Sequence, residues 1–553
     1  MLERFAATCW LLALLNSPVV AAEPVAHWPL TIDARDAGSQ GVHSVAHEVQ
    51  FTTAGASFDG RSSRIEASDS DVLQFGSGDF TVSAYVEIPA ALDDVVGDVV
   101  SKFDSQKRRG FQLSIVTNAA AASGTSNRCQ VQFGIDDDYR DANWRDEGRP
   151  GNSVLIFALA THAGRLYAGT CEPGADQAGH VYRYDAPGRW HDLGSPDRAN
   201  SVAALAEFNG QLFAATARYR LRGSALTDSP NDTLGGSVYR FDDDTQKWID
   251  CGRLTTSAND VTIEAINGLV VYRNKLYASS TYSPGFFRYE GGTSWTSLGT
   301  ANNRRVEALT VFNGAIFAGS YDAAEIHRYE PDGGWQVVGS LLDNTQTYGF
   351  GVYGGSLYVG TWPTGCVYRY DGPNQWFNSG RLGEEREVMP LVVYNGSFYA
   401  GTLPLANIYR FDNNFDGDSQ WRLVGRVDHT PDVTYRRVWS LAVHDGRLFA
   451  GTLPSGHVWS WQAGCSVTHD HELAPGWHHL AGVRSGDELL LYVDGREVAR
   501  AKLPPGNDFN LDNDRPLLLG AGPHDHLRGR TKDVRLYRAA LSAKEIETLS
   551  SAK

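Results

Sequence analysis

Arg305, Glu307, Tyr348, Arg386, Glu387, Arg436, Arg437 and Trp439 lie at or beside equivalent places in four successive units of an internal repeat. They are the side chains of this sequence best suited to chemistry. Arginine's planar fork captures carboxylate or sulfate through two parallel hydrogen bonds. Tyr348 or His429 beside such arginines would serve as acid or base. That set suits an acidic polysaccharide, and even β-elimination from a uronic acid. Glu307 and Glu387 are the rim carboxylate pair that glycoside hydrolysis would need. The plain structural alternative is that these charges pair with one another and hold the architecture together.

The elements that must position them recur seven times. A turn, often Asn-Gly or Asp-Gly, precedes an aromatic-small-small segment beginning at Leu166, Leu212, Leu276, Ile316, Leu357, Phe398 and Leu448. A second segment follows, as in Val181-Tyr-Arg-Tyr184 and Val367-Tyr-Arg-Tyr370. A third is Trp-x-x-x-Gly, at Trp190, Trp248, Trp295, Trp335, Trp376 and Trp421. Short β-rich segments recurring mostly every 40 to 50 residues predict a β-propeller with four strands per blade. Asn-Gly pairs accept the positive φ of tight hairpins. The last unit lacks its own Trp-x-x-x-Gly, and an orphan copy, Asn143-Trp-Arg-Asp-Glu-Gly148, precedes the first. We therefore expect a seven-bladed ring closed by a strand from upstream, which leaves no exposed edges. Residues 140–462 resemble kelch-like, galactose-oxidase-type propellers, without that family's copper-oxidase residue set.

Aligned on the second strand, the places eleven residues upstream hold Leu155, Ser201, Ala265, Arg305, Gln346, Glu387 and Arg437. Nine upstream stand Phe157, Ala203, Asn267, Glu307, Tyr348, Met389 and Trp439, and seven upstream all are apolar. The variable polar places thus mark the strand entrance and a ligand-facing rim. The loop over residues 217–237 carries Arg218, Tyr219, Arg220 and Arg222 and belongs on the same face. Long loops inside compact repeats are often functional.

The flanks read differently. Strands are expected over residues 79–86 and 111–116 before the repeats. Others are expected after them over residues 476–483, in a hairpin turning at Asp494-Gly495, at 516–520 and at 529–537. A short helix follows, with Ser542 as N-cap and Glu545 three residues on. Phe58-Asp-Gly60, Gly476-Trp-His-His-Leu-Ala-Gly-Val483, Tyr492-Val-Asp-Gly495 and the segment from Gly529 to Tyr537 resemble the laminin-G-like, concanavalin A-like jelly roll. Neither flank alone has enough strands for it. The expected fold is all-β: a seven-bladed β-propeller (136–462) inserted into one jelly-roll sandwich (23–135 and 463–553). The resemblance implies carbohydrate binding and a structural calcium, with Asp33 and Asp533 as candidate ligands.

Composition narrows the partners. A net charge of −16 over 553 residues opposes nucleic-acid binding and electrostatic docking on anionic membranes. Arg4 followed by an apolar run over residues 5–15 reads as a secretory signal, with cleavage expected after Ala22. That places the chain outside the cytoplasm: secreted, periplasmic or at the cell surface. Cys129, Cys171, Cys251, Cys366 and Cys465 remain, and a Cys129–Cys465 bridge would staple the ends of the array; buried thiols are the alternative. His469-Asp-His471 and His524-Asp-His526 have metal-like spacing but read as surface histidines. Gly349-Phe-Gly-Val-Tyr-Gly354 is no dinucleotide loop, because no helix follows it. The leading expectation is binding of a carbohydrate or glycoconjugate, possibly acidic in character, on the jelly roll, the rim or both. A lyase or glycoside hydrolase and a protein-binding scaffold are the alternatives.

Overall fold

The computed structural model describes residues 22–119, 124–256, 261–412 and 421–551. The expected signal segment, apart from Ala22, lies outside them. The chain is all-β with a propeller-like ring of sheets, and every paired strand in the sheets is antiparallel to its neighbour.

Two further sheets pack face to face beside the ring. One runs in the order Gln50–Thr52, Gly55–Asp59, Arg528–Tyr537, Phe80–Ile88, Gly476–Ser485, Glu488–Val493, Arg496–Lys502, with Ala26–Trp28 also paired to Arg528–Tyr537. The other runs Ser44–His47, Arg64–Ala67, Leu517–Leu519, Gly97–Asp104, Arg109–Asn118, Asn127–Arg140, Ala463–His469. Each sheet draws strands from both ends of the chain. Their shared core includes Trp28, Phe58, Phe80, Phe111, Phe133 and Leu480. Asp494 and Gly495 both take positive φ at the expected hairpin turn. The C-terminal helix is Ala543–Ser551, and its start is a capping box. The Glu545 amide donates to Ser542 Oγ, while the Ser542 amide donates to Glu545 Oε2.

The ring contains five four-stranded sheets and one eight-stranded sheet, in which two four-stranded meanders join at the Cys171–Ser201 pair. The innermost strands are Leu155–His162, Ser201–Phe208, Ile266–Tyr272, Val306–Phe312, Gln346–Tyr353, Glu387–Tyr394 and Arg437–His444. They pack side by side in that order, and the last packs against the first. The upstream strand Arg145–Gly148 pairs with Val458–Trp461 in the last sheet, and Trp144 stacks on Trp461 at 5.6 Å.

The Trp-x-x-x-Gly motif has a direct physical basis. Six of the seven tryptophans donate the indole N–H to a backbone carbonyl in or just after the preceding outer strand: Trp190 to Glu147, Trp248 to Leu193, Trp295 to Cys251, Trp335 to Gly299, Trp376 to Val338, Trp421 to Ser379; the Trp144 indole N–H makes no such bond. The glycine leaves room for the neighbouring indole. A Cβ on Gly339 would stand 2.2 Å from Trp376 Nε1, and one on Gly425 would stand 2.6 Å from Trp144 Nε1.

The turns between first and second strands point at the sandwich. Asn209-Gly210, Asn313-Gly314, Asn395-Gly396 and Asp445-Gly446 all have positive φ at both residues, as the tightest hairpins require. Asn395 Nδ2 donates to the carbonyls of Ile135 and Ala463, and the Gly314 amide donates to Asp93 O. Asn118 and Asn127 reach the innermost strands, donating to Val393 O and Val443 O. This mouth of the ring is therefore covered by the sandwich. Ligands have access from the opposite mouth, where the inner strands begin.

Two sequence expectations fail. Cys129 and Cys465 form no bridge, and all five cysteines of the described residues are free and buried. Cys465 pairs across the strands with Ile135, six places from Cys129 on the same strand, which is roughly 20 Å at strand rise. The histidine pairs are not simply surface groups either. His524 and Asp525 are buried against the ring, where the Gly354 and Gly355 amides donate to the carbonyls of Pro523 and His524. Burial lowers His524 to about 4, and His469 likewise.

Candidate ligand site at the open mouth of the ring

Seven β-bulges build the site. In every innermost strand the register slips near its start: between Ile156 and Ala158, Val202 and Ala204, Ile266 and Gly268, Val306 and Ala308, Thr347 and Phe350, Val388 and Leu391, and Val438 and Ser440. The residues within these slips include Phe157, Ala203, Asn267, Glu307, Tyr348, Met389 and Trp439. A bulge breaks the strict alternation of faces and re-aims one side chain. Here it delivers one layer of side chains to the ring's axis. Phe157, Ala203, Met389 and Trp439 pack together there.

Above that layer lies a cavity of about 550 Å³. Glu307, Asn267, Tyr348 and Trp439 reach it from the inner strands. Thr281, Tyr282 and Tyr321 reach it from just beyond the second strands. The loop after Gln211–Ala217 brings Tyr219, Arg220, Arg222 and Asp228 over it. That loop is pinned in place. Tyr219 exchanges backbone–side-chain hydrogen bonds with Asn200, its hydroxyl lies 2.6 Å from Ser224 Oγ, and Arg437 donates to the same Ser224. Five aromatic rings border the space. Trp439 meets Tyr219 edge-on at 5.6 Å, and Tyr321 meets Tyr348 edge-on at 6.5 Å.

Each of the four arginines lining this cavity already has a carboxylate. Arg305 forks onto Asp322 at 2.6 to 3.1 Å and stacks over Tyr321 at 4.6 Å. Arg220 pairs with Glu264 at 3.0 Å, Arg222 with Asp228 at 3.2 Å, and Arg437 with Glu387 at 2.8 Å. Glu307 is different. Burial pushes its carboxyl up to about 7, with a contribution from the charge of Glu387, while the nearby side chains of Thr281 and Asn267 hold it down in part without reaching good hydrogen-bond geometry. Its Oε2 has no hydrogen-bond partner. Neither have Asn267 Oδ1, Thr281 Oγ1 and Trp439 Nε1, although all four residues are only 2% to 4% exposed.

Of the residues singled out from sequence, Arg305, Glu307, Tyr348, Arg437 and Trp439 border this cavity. Four others do not. Glu387 is buried and held by Arg437. Arg386 is exposed and stacks over Trp362 at 4.7 Å. Arg436 turns away to donate to Thr430 O at 2.6 Å. His429 is exposed and is not on the cavity wall. The Tyr348 hydroxyl donates to Gln346 Oε1, and burial with nearby Glu387 holds it well above the usual tyrosine range, which makes it a poor base. Asn267, Thr281, Tyr282 and Tyr321 were not part of the sequence reading. Asn267 stands in the aligned layer beside Glu307. Thr281 and Tyr321 share the place just past the second strand, so their signal was alignment rather than motif.

The candidate calcium ligands do not converge. Asp33 is taken by Arg35, and Asp533 by His27 and Arg535 at 2.7 and 2.8 Å. Among the described residues no group of three or more His, Cys, Asp or Glu side chains could hold a metal. These residues do not fit a calcium site.

Comparison with known proteins gives three findings. A family profile described as the concanavalin A-like lectin/glucanases superfamily matches residues 426–547. No curated protein matches the chain. Among solved structures, virginiamycin B lyase from Staphylococcus aureus is similar at 8% identity and a TM-score of 0.45, over 58% of this chain and 99% of that one. The extracellular domain of a hybrid two-component system from B. thetaiotaomicron is similar at 10% identity and a TM-score of 0.43, over 67% of this chain and 48% of that one. No helix among the described residues is long and apolar enough to cross a membrane.

Proposed function

We propose that this chain is an extracytoplasmic carbohydrate- or glycoconjugate-binding protein whose ligand occupies the cavity at the open mouth of the ring. The observation that carries the reading is the cavity itself: five aromatic rings around a floor of buried polar side chains. Its volume falls within the roughly 300–1,000 Å³ of small-molecule sites, and its wall mixes those rings with charged and polar side chains. The profile match over residues 426–547 supports a glycan-related role for the sandwich as well. The architecture behind the reading is a seven-bladed propeller, the eight-stranded sheet counting as two blades, inserted into one jelly roll. In support, strands from both flanks share each sandwich sheet, and Arg140 pairs with Ala463 where the chain leaves and rejoins the sandwich.

Catalysis has less support. Glycoside hydrolysis uses two carboxylates facing one ligand, and only Glu307 of the candidate pair borders the cavity. A lyase needs a base, and neither Tyr348 nor His429 is placed to be one. A glycan array probed with wild type and Tyr321→Ala tests binding. Wild type should retain a defined glycan subset and the variant should lose it. Absence of binding across neutral and acidic glycans overturns the reading in favour of a protein-binding scaffold. Unsaturated products from uronic-acid polysaccharides would restore the lyase.

A further inference from the structure

The sequence pointed to an acidic ligand because arginines crowd the rim. The structure removes that reason. Arg220, Arg222, Arg305 and Arg437 are each neutralised by a carboxylate at 3.2 Å or less. An anion drawn to one of them would have to share it with a carboxylate already in place. Glu387 is the extreme case, since it is buried together with Arg437. Glu307 adds a carboxyl with no ion-pair partner at the floor, and wherever it is ionised an anionic ligand would meet like charge there.

The unsatisfied groups ask for something else. Trp439 Nε1 can only donate. Asn267 Oδ1 and an ionised Glu307 can only accept. Thr281 Oγ1 can do either. A hydroxyl both donates and accepts, so a pair of neighbouring hydroxyls can answer this set. A carboxylate or sulfate accepts only and would leave the two acceptors unpaired, at a cost of about 1–3 kcal/mol for each buried group. The rings of Tyr219, Tyr282 and Tyr321 border the same space, Tyr282 and Tyr321 each with one face under an arginine, and the surface left to them suits the C–H face of a sugar ring.

We infer, resting on the glycan-binding reading above, that the cavity takes an uncharged glycosyl residue, held through neighbouring hydroxyls by Asn267, Thr281, Glu307 and Trp439 between the tyrosine rings. Uronic acids and sulfated sugars are disfavoured there, because their added charge finds no arginine on the cavity wall without a carboxylate beside it.

The test pairs neutral chains with their acidic counterparts: β-1,4-mannan and β-1,4-glucan oligosaccharides against the mannuronan and glucuronan oligosaccharides that differ only at C6, alongside a mixed array. Affinities are measured by calorimetry at 50 and 500 mM NaCl, with Glu307→Gln, Trp439→Phe and the outlying Arg436→Ala, each first shown to unfold in a single cooperative transition above the assay temperature. The best neutral ligand should bind at least tenfold tighter than an acidic counterpart, with no loss at high salt. Glu307→Gln and Trp439→Phe should each weaken it about tenfold, while Arg436→Ala should leave it unchanged. An acidic ligand that binds tighter than its neutral partner, and weakens with salt, overturns this inference while leaving glycan binding intact. Binding of no glycan at all overturns both.

Discussion

Arg437 reaches back to Glu387, Nε to Oε1 at 2.8 Å, and both side chains are buried. The guanidinium also lies 4.7 Å from the centre of the Trp439 ring. Two residues that looked like ligand-binding groups thus form an internal strut. The strut ties the innermost strand Glu387–Tyr394 to its neighbour Arg437–His444 and sets the Trp439 ring beside the cavity.

Breaking that strut from one side leaves a buried charge alone. Glu387→Gln should destabilise the fold by about 3–5 kcal/mol, whereas replacing both residues with apolar ones of similar volume should cost far less. Chemical denaturation of the two variants checks this. Equal losses would mean that the pair is not the source of the effect.

Glu307 supplies a pH dependence. Its carboxyl is raised from an ordinary value of 4.5 to about 7 in the fold. Between those values the folded state keeps a proton that the unfolded state has released, so stability falls as pH rises through the window and levels off above it. The full effect is roughly 3 kcal/mol. Asp98, pushed to about 6 by burial, acts in the same direction. Unfolding free energies of wild type and Glu307→Gln should therefore diverge across pH 5 to 7. Parallel curves would show that Glu307 ionises normally.

Ring closure rests on a missing side chain. Gly425→Ala would press a methyl to 2.6 Å from Trp144 Nε1, where the upstream segment joins the last sheet. Overpacking of this kind costs about 1–3 kcal/mol. A lowered denaturation midpoint is expected. An unchanged midpoint would mean that Trp144 is free to swing aside.

The thiols give a sharp chemical readout. Cys129, Cys171, Cys251, Cys366 and Cys465 are buried and unbridged. Burial raises Cys171 and Cys465 to about 12, which keeps them protonated and unreactive. Native protein should resist a thiol-specific disulfide reagent, and unfolding in guanidinium without reductant should release all five to it. Fewer reactive thiols after unfolding would reveal a bridge.

Much of the ring was legible in the chain because its signals are local. Asn-Gly turns, small residues in the second strand and the tryptophan–glycine spacing each act within a few residues, or against an identical neighbour. The orphan Trp144 was legible for the same reason: it repeats a pattern whose absence after Trp461 can be counted. The rim was legible only as a level. Alignment put Glu307, Tyr348 and Trp439 at one height but could not separate Glu307, which borders the cavity, from Glu387, which Arg437 occupies. The Cys129–Cys465 bridge failed because flanking the repeats in sequence says nothing about strand register.

By itself, the sequence determined an all-β chain with a recurring four-strand unit, and the residues that stand at the strand entrances, because hydrophobic period, turn chemistry and spacing are properties of neighbouring residues. Only the tertiary structure decided which charges answer one another and which polar atoms are left over. Arg305 finds Asp322 17 places away, and Arg437 finds Glu387 50 places away. Partnerships of that range depend on bulges and strand packing, which bring distant side chains within 3 Å or so and which no local pattern records.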